Sequence, residues 1–231
     1  MYRIKLKSKT GFFRNDLTIT GIQETYDCPP LSTIYGIISS ATGEKIQNIN
    51  VGYIFEYAYK SEDYELQITQ GAGKKDIYKE LRKKINYIDR HDILQGCFSS
   101  APVTRQILFD CTLYIYLEND TIAENFRYPY FSILMGRSED ICMVEEIKKI
   151  DLKEKRFINV GNTIIPLREK VDELYGKVVS MPVNISYEIP RHLISTDIYL
   201  SIPEKIKIRN SNNLFLYDDD IGMGVYIHKF N

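Results

Sequence analysis

The first 150 residues of this chain switch hydrophobic period in a fixed order, and that order constrains the fold more than any other feature. Residues 2–8, Tyr2-Arg3-Ile4-Lys5-Leu6-Lys7-Ser8, alternate in the period-two pattern of a half-buried strand. After a loop rich in turn formers, Pro29-Pro30 introduces Leu31, Ile34, Ile37 and Ile38 at helical spacing, and Gly43 suits the helix end. Val51, Tyr53, Phe55, Tyr57 and Tyr59 return to period two, with Gly52, Glu56 and Lys60 on the opposite face. Ile107, Phe109, Cys111, Leu113 and Ile115 form a further alternating run within Gln106–Leu117. Thr121 and Glu124 have the spacing of a capping box, which predicts a short helix starting there and stopping near Pro129. Ile141–Ile147 closes the series as a fourth strand.

The order β-α-β-β-α-β is that of the ferredoxin-like α+β fold, shared with the RNA recognition motif, whose exposed sheet face and loops hold single-stranded RNA. The chain then divides into a domain over 1–150 and a smaller region over 151–231. In the second region, residues 151–165 read as a linker or exposed strand and Leu167–Tyr175 as a short helix. Alternating runs at 178–189, 205–209 and 224–230 make the rest β-rich.

One connection does not fit a compact domain. Between the second and third strands, residues 61–104 are far more than a hairpin needs, and excursions of that length are usually functional or mobile. Positive charge concentrates there: from Lys74 to His91 the chain carries seven Lys/Arg against three acidic residues, a surplus of four, although the whole protein has net charge −1. With no overall positive field, any contact with nucleic acid has to be local. Lys74, Lys75, Arg82, Lys83 and Lys84 have two readings, a solvated helix face or a set of phosphate contacts. Gly71-Ala72-Gly73-Lys74-Lys75 is not a nucleotide-binding P-loop, because Ile68 stands where the first glycine belongs and no Ser/Thr follows the lysine.

Composition removes other classes. The N-terminus has no apolar run of signal-peptide length, and no stretch is long and apolar enough to span a bilayer, so a cytoplasmic location with no membrane partner is expected. Cysteines 28, 97, 111 and 142 are too scattered for a zinc knuckle and are expected to be reduced and mostly buried. Asp218-Asp219-Asp220 reads as a polar turn rather than a cation site, and no metal or cofactor is expected.

Three segments carry a family resemblance: Phe13-Arg14 after the first strand; Thr25-Tyr26-Asp27-Cys28-Pro29-Pro30-Leu31-Ser32-Thr33-Ile34-Tyr35-Gly36 entering the helix; and Tyr128-Pro129-Tyr130 through Leu134-Met135-Gly136-Arg137-Ser138-Glu139-Asp140 before the fourth strand. In this order they resemble the Cas-five family of CRISPR-associated proteins, in the forms found in type I-B-like systems, over residues 1 to about 147. The resemblance implies a core of the repeat-associated RNA-binding (RAMP) superfamily. It also implies a non-catalytic role in antiviral defence, capping the 5′ handle of the CRISPR RNA (crRNA) in a Cascade surveillance complex. Partners would be the backbone subunit and the large subunit, with target DNA met only indirectly. The 61–104 excursion would be the thumb that holds the handle.

Phe13, Arg14, Tyr26, Gly136, Arg137 and Ser138 are candidate RNA contacts on this basis, and His91 in the basic excursion is a further candidate contact. Each arginine has an alternative partner in a nearby carboxylate, Glu139 or Asp140 for Arg137. Ser32 and Thr33 either cap the helix or help its unpaired amides bind a phosphate. Gly36 reads as letting the helix lie close to the sheet, and Gly136 as allowing a ligand's approach or positive φ. Two rivals remain. One is a metal-independent endoribonuclease using His91 in the basic excursion; the other is a sheet-forming interaction module without RNA.

Overall fold

The computed structural model describes residues 1–15, 17–18, 21–70, 98–169, 174–210 and 212–230. The chain is mixed α+β and forms two compact units: one of Met1–Arg14, Thr25–Ser61 and Ile107–Asn231, the other of Asn15–Glu24 and Glu62–Gln106.

The first unit is built on an antiparallel sheet. β1 (Tyr2–Gly11) lies between β5 (Phe98–Leu117) and β6 (Cys142–Lys149), and β3 (Val51–Glu56) flanks β5 on its other side. Register pairs Ile4 with Ile115 and Ile147, and Tyr53 with Ile115, so the alternating apolar residues of four strands share one face. α1 (Leu31–Thr42) covers that face with Leu31, Ile34, Tyr35, Ile38 and Ala41. Gly43 ends the helix in the left-handed region at φ 75°, with its N–H on the Ser39 carbonyl, and the Tyr130 ring lies 2.7 Å from where a Cβ would stand. Both constraints demand glycine.

Two expected boundaries move. The second strand stops at Glu56, and β4 (Tyr59–Gln70) pairs with a β5 that begins at Phe98, so strands occupy much of what reads as loop. The short helix α2 (Asp120–Glu124) is capped not by Thr121 but by Asn119, whose side chain accepts from the Ile122 N–H. Thr121 instead follows Asp120, whose carboxylate takes its N–H at 2.8 Å. A 3₁₀ turn, Asn125–Arg127, then ends before Pro129.

Residues 151–231 are β-rich. β7 (Phe157–Val160) pairs with β11 (Ile206–Arg209); β8 (Thr163–Pro166), β10 (Leu193–Ile202) and β9 (Lys177–Ile185) form a three-stranded sheet. β12 (Phe215–Asp218) and β13 (Met223–His228) extend the main sheet through β13 and β3. β8 is buried along its length, not a linker, because Thr163 donates to the Tyr53 carbonyl at 2.9 Å and Ile164 joins the α1 core. Of the helix expected over 167–175, Leu167 and Arg168 lie in a turn and 170–173 fall outside the described residues.

In the second unit, β2 (Ile22–Gln23) runs parallel to the start of β5, pairing Ile22 with Thr104 and Gln23 with Arg105. Arg105 bonds both Gln23 and Glu65. Among the described residues no helix is long and apolar enough to cross a membrane.

Candidate nucleic-acid interface

The three segments that carry the resemblance meet at one rim of the first unit. The Phe13 N–H donates to Thr25 Oγ1 at 2.9 Å and the Tyr26 N–H to the Phe13 carbonyl at 2.8 Å, joining the loop after β1 to the entry of α1. The Phe12 N–H donates to the Met135 carbonyl at 3.0 Å, joining the same loop to the segment before β6. Gly136 lies so close to Phe12 that a Cβ would stand 1.9 Å from its carbonyl oxygen, and its φ is 120°. Glycine here serves backbone against backbone, within the protein.

The side chains at this rim divide by burial. Phe13 is 2% exposed with its ring edge-on to Phe55, and Tyr26 is 7% exposed with its hydroxyl on the Ser180 carbonyl, so both rings serve the core. Arg137 takes its sequence neighbour: Asp140, wholly buried, accepts from Arg137 Nε at 3.1 Å, from Nη2 at 3.0 Å and from its backbone N–H, while Thr10 donates to the same carboxylate at 2.6 Å. Arg14 and Ser138 are exposed. Lys74, Lys75, Arg82, Lys83, Lys84 and His91 lie outside the described residues.

Beside this rim a cleft of ≈ 640 Å³ runs along the outer side of α1. Ser32, Thr33 and Gly36 line it with Leu134 and Gly136. Neither hydroxyl caps the helix. The N-cap is Pro30, without a side-chain bond, and the Thr33 N–H is taken by the Pro30 carbonyl at 2.9 Å. Gly36 does not press on the sheet either: it is exposed, with nothing within 4 Å of a Cβ position. The far end of the cleft holds Lys45, Tyr187 and Arg191, which no local sequence signal marks. Lys45 Nζ stands 5.2 Å from the Tyr187 ring centroid, and the Tyr187 hydroxyl lies 3.3 Å from Ser39 Oγ. With Glu44 also on the wall, two cations against one anion leave a surplus of one positive charge. Flat rings, hydroxyls and a small positive surplus suit stacking and phosphate contact by a single strand.

The sheet face opposite α1 offers no flat platform. Ile54 and Tyr116 are buried there under Met223 and Val225, and Lys5 and Lys7 both hold Glu145. Arg3 is buried in a network with Asp218 at 2.8 Å, Glu146 at 2.9 Å and Asp220 at 3.3 Å. Burial by itself would lower its pKa, but the Glu146 and Asp218 hydrogen bonds reverse that and hold it well above the usual value. Asp219 pairs with Lys153 and Lys155, so the acidic triplet is an ion-pair hub. The thiols of Cys28, Cys111 and Cys142 are unpaired, each pushed up to about 12 by burial first.

No protein-family model matches the sequence, and no curated protein is similar to it. Solved structures do share its fold. A chain of a "CRISPR RNA-guided surveillance complex" superposes with TM-score 0.52 at 13% identity, over 89% of this chain and 90% of that one. A chain of "Type III-B Cmr-beta bound to cognate target RNA and AMPPnP" gives TM-score 0.53 at 12% identity, over 89% and 86%.

Proposed function

We propose that this chain is a non-catalytic, RNA-binding subunit of a CRISPR ribonucleoprotein, of the Cas-five type, which holds the 5′ handle of the crRNA in a type I-B-like Cascade complex. The observation that carries the reading is the convergence of three separated segments on one rim, where Arg14 is exposed and Gly136 lines the α1 cleft. The fold likeness to chains of RNA-guided complexes supports it. So does the order of the four central strands: numbered along the chain, β6, β1, β5 and β3 are fourth, first, third and second, the antiparallel arrangement of a ferredoxin-like sheet.

A subunit also needs protein contacts. β6 is an edge strand of the main sheet, and Ile141 and Met143 at its start are exposed together with Tyr128, Tyr130 and Phe131. Such an apolar rim beside an edge strand suits a protein neighbour. We assign it to the backbone or large subunit.

The non-catalytic reading draws support from His228, which burial lowers to about 3 and so removes from proton transfer near neutral pH. The nuclease alternative then rests on His91 and the exposed His192. Co-expression with the remaining subunits and a repeat-spacer transcript tests the proposal: guide RNA should co-purify, and Arg14→Glu should reduce its retention, as should reversal of Lys83 and Lys84. A complex that retains its guide equally well with all three changed would refute the assignment. Site-specific cutting of repeat RNA in chelator, lost in His91→Ala, would replace it with the nuclease.

A further inference from the structure

The ribbon of β7 and β11 has one face in the protein and one in solvent. Inward, Ile158, Val160 and Ile208 are buried with Phe215 and Tyr226. Gly224 of β13 lets the ribbon dock closely, since a Cβ there would stand 2.6 Å from Ile158 Cδ1. Outward, the register sets Phe157 opposite Arg209 and Asn159 opposite Lys207, and directly opposed residues share a face. All four are exposed, and the Phe157 ring is 58% exposed. The core is filled from the other side of the strand, so it does not need this ring.

Positive charge gathers on the ribbon and on the residues that lead into it. Lys153–Val160 and Glu204–Arg209 together hold six Lys/Arg against two acids, Glu154 and Glu204. Asp219 takes Lys153 and Lys155, and Glu56 takes Lys205 at 3.1 Å, which still leaves a surplus of two against one for the α1 cleft. The outward face of the ribbon itself carries no carboxylate. Arg156 stands beside the ring, with its Cζ 5.7 Å from the Phe157 centroid. The corner that presents both is held in place. The buried Asn210 donates its N–H to the Arg156 carbonyl at 2.8 Å, and its amide to the carbonyls of Lys155 at 3.2 Å and Phe215 at 2.8 Å. Lys153 and Tyr217 exchange backbone bonds at 2.9 and 2.7 Å. A ligand therefore has only side chains to order here.

We propose that the outer face of the β7–β11 ribbon binds single-stranded RNA, with one base stacked on Phe157 and the phosphates on Arg156, Lys207 and Arg209. A flat ring among guanidinium and ammonium groups is what a single strand needs, because every base has a face to stack and every linkage a negative charge. Asn159 donates its amide to the Gly222 carbonyl at 3.5 Å, and its side-chain oxygen can accept from a 2′-hydroxyl, which favours RNA over DNA. An acidic peptide would meet the cations but has no flat group to lay on the ring. The class of ligand rests on the RNA-binding reading. The ribbon shares no residue with the α1 cleft, so the two surfaces are tested apart.

The full chain is titrated with a fluorescently labelled single-stranded oligoribonucleotide, with the oligodeoxyribonucleotide of the same sequence and with polyglutamate, following anisotropy over a series of salt concentrations. The oligoribonucleotide should bind tightest. Phe157→Ala should weaken it about tenfold, the loss of one base–aromatic stack. Lys207→Gln combined with Arg209→Gln should reduce the slope of log K against log salt by about 1.4, which is two phosphate contacts on a single strand. These positions are exposed, so the urea midpoint of each variant should stay within error of the parent. Repeating Phe157→Ala in a chain that also carries Arg14→Glu separates the ribbon from the α1 rim, and the tenfold effect should persist there. No binding of the oligoribonucleotide at the lowest salt, an unchanged affinity in Phe157→Ala, an unchanged slope in the double variant, or equal binding of DNA or polyglutamate overturns the proposal. Guide retention by the assembled complex is measured in parallel. A complex that keeps its guide while the ribbon variants bind as the parent does loses this surface and retains its proposed role; a chain whose ribbon binds RNA but whose complex holds no guide does the reverse.

Discussion

Strand β1 is held at its two ends by two buried aspartates that do opposite kinds of work. At the far end, Asp140 gathers Thr10 and three N–H groups of Arg137, a residue three places away, and so shapes a single loop. At the near end, Asp218 takes Arg3, 215 positions away, and the Tyr116 hydroxyl at 3.0 Å, and so ties the tail of the chain to its first strand. The first pair organises a rim; the second closes the fold. A buried ion pair within a loop can be rehydrated when one partner is lost, because Arg137 is 18% exposed, whereas the Arg3 side chain is 5% exposed and has no such escape.

Breaking the long-range pair should therefore have the largest effect. Asp218→Ala is expected to cost about 3 kcal/mol in urea unfolding, because it removes one of Arg3's three carboxylate partners and the acceptor of the buried Tyr116 hydroxyl, while Glu146 and Asp220 still hold the charge. Asp140→Ala should cost less, about 2 kcal/mol, the loss of charge-assisted hydrogen bonds with one partner returning to water. If the two variants unfold at the same urea concentration, the contrast between the two ends fails.

Acid sharpens the comparison without any mutation. His228 is lowered from 6.5 to about 3, by burial first and then by the Arg168 charge, so its contribution is complete above pH 6.5. As the pH falls the unfolded chain binds a proton that the folded chain refuses, and stability drops by about 1.4 kcal/mol per pH unit until about pH 3. Unfolding followed between pH 7 and 5 should thus show a loss of about 2 kcal/mol that His228→Phe abolishes. A flat profile in the parent protein would mean that the imidazole is not buried as described. The smallest effect is expected at Lys148, whose bond to Asp220 is about half exposed at both partners: Lys148→Ala should leave the unfolding midpoint within error and lose any residual effect in salt.

The same contrast governs how far the residues could be read before the fold was known. The alternation of Ile4 and Leu6, the helical spacing of Leu31, Ile34 and Ile38, and Gly43 at the helix end are all found as expected, because each depends on spacings of two to four residues. Asp140 as the partner of Arg137 was one of two carboxylates in reach of that loop. The cap of α2 was misplaced by two residues, since Asn119 and Thr121 are both competent caps and packing chose between them. Of the site, the segments were legible but not their roles: Phe13 and Tyr26 are as aromatic in the core as on a surface, and the amino acid alone does not say which.

The cores of β1, β3 and β5, the helix α1 and the loop-scale pairing at Arg137 follow from the amino acids in local context, where chain connectivity already brings the groups together. The union of β13 with β3, the Arg3–Asp218 bond, the contact of Gly136 with the Phe12 carbonyl, and the gathering of Lys45 and Arg191 around one cleft required the finished fold. Each joins groups tens to hundreds of positions apart. For such groups many partners satisfy the same charge or the same apolar face, and only the pairing of strands in space selects among them.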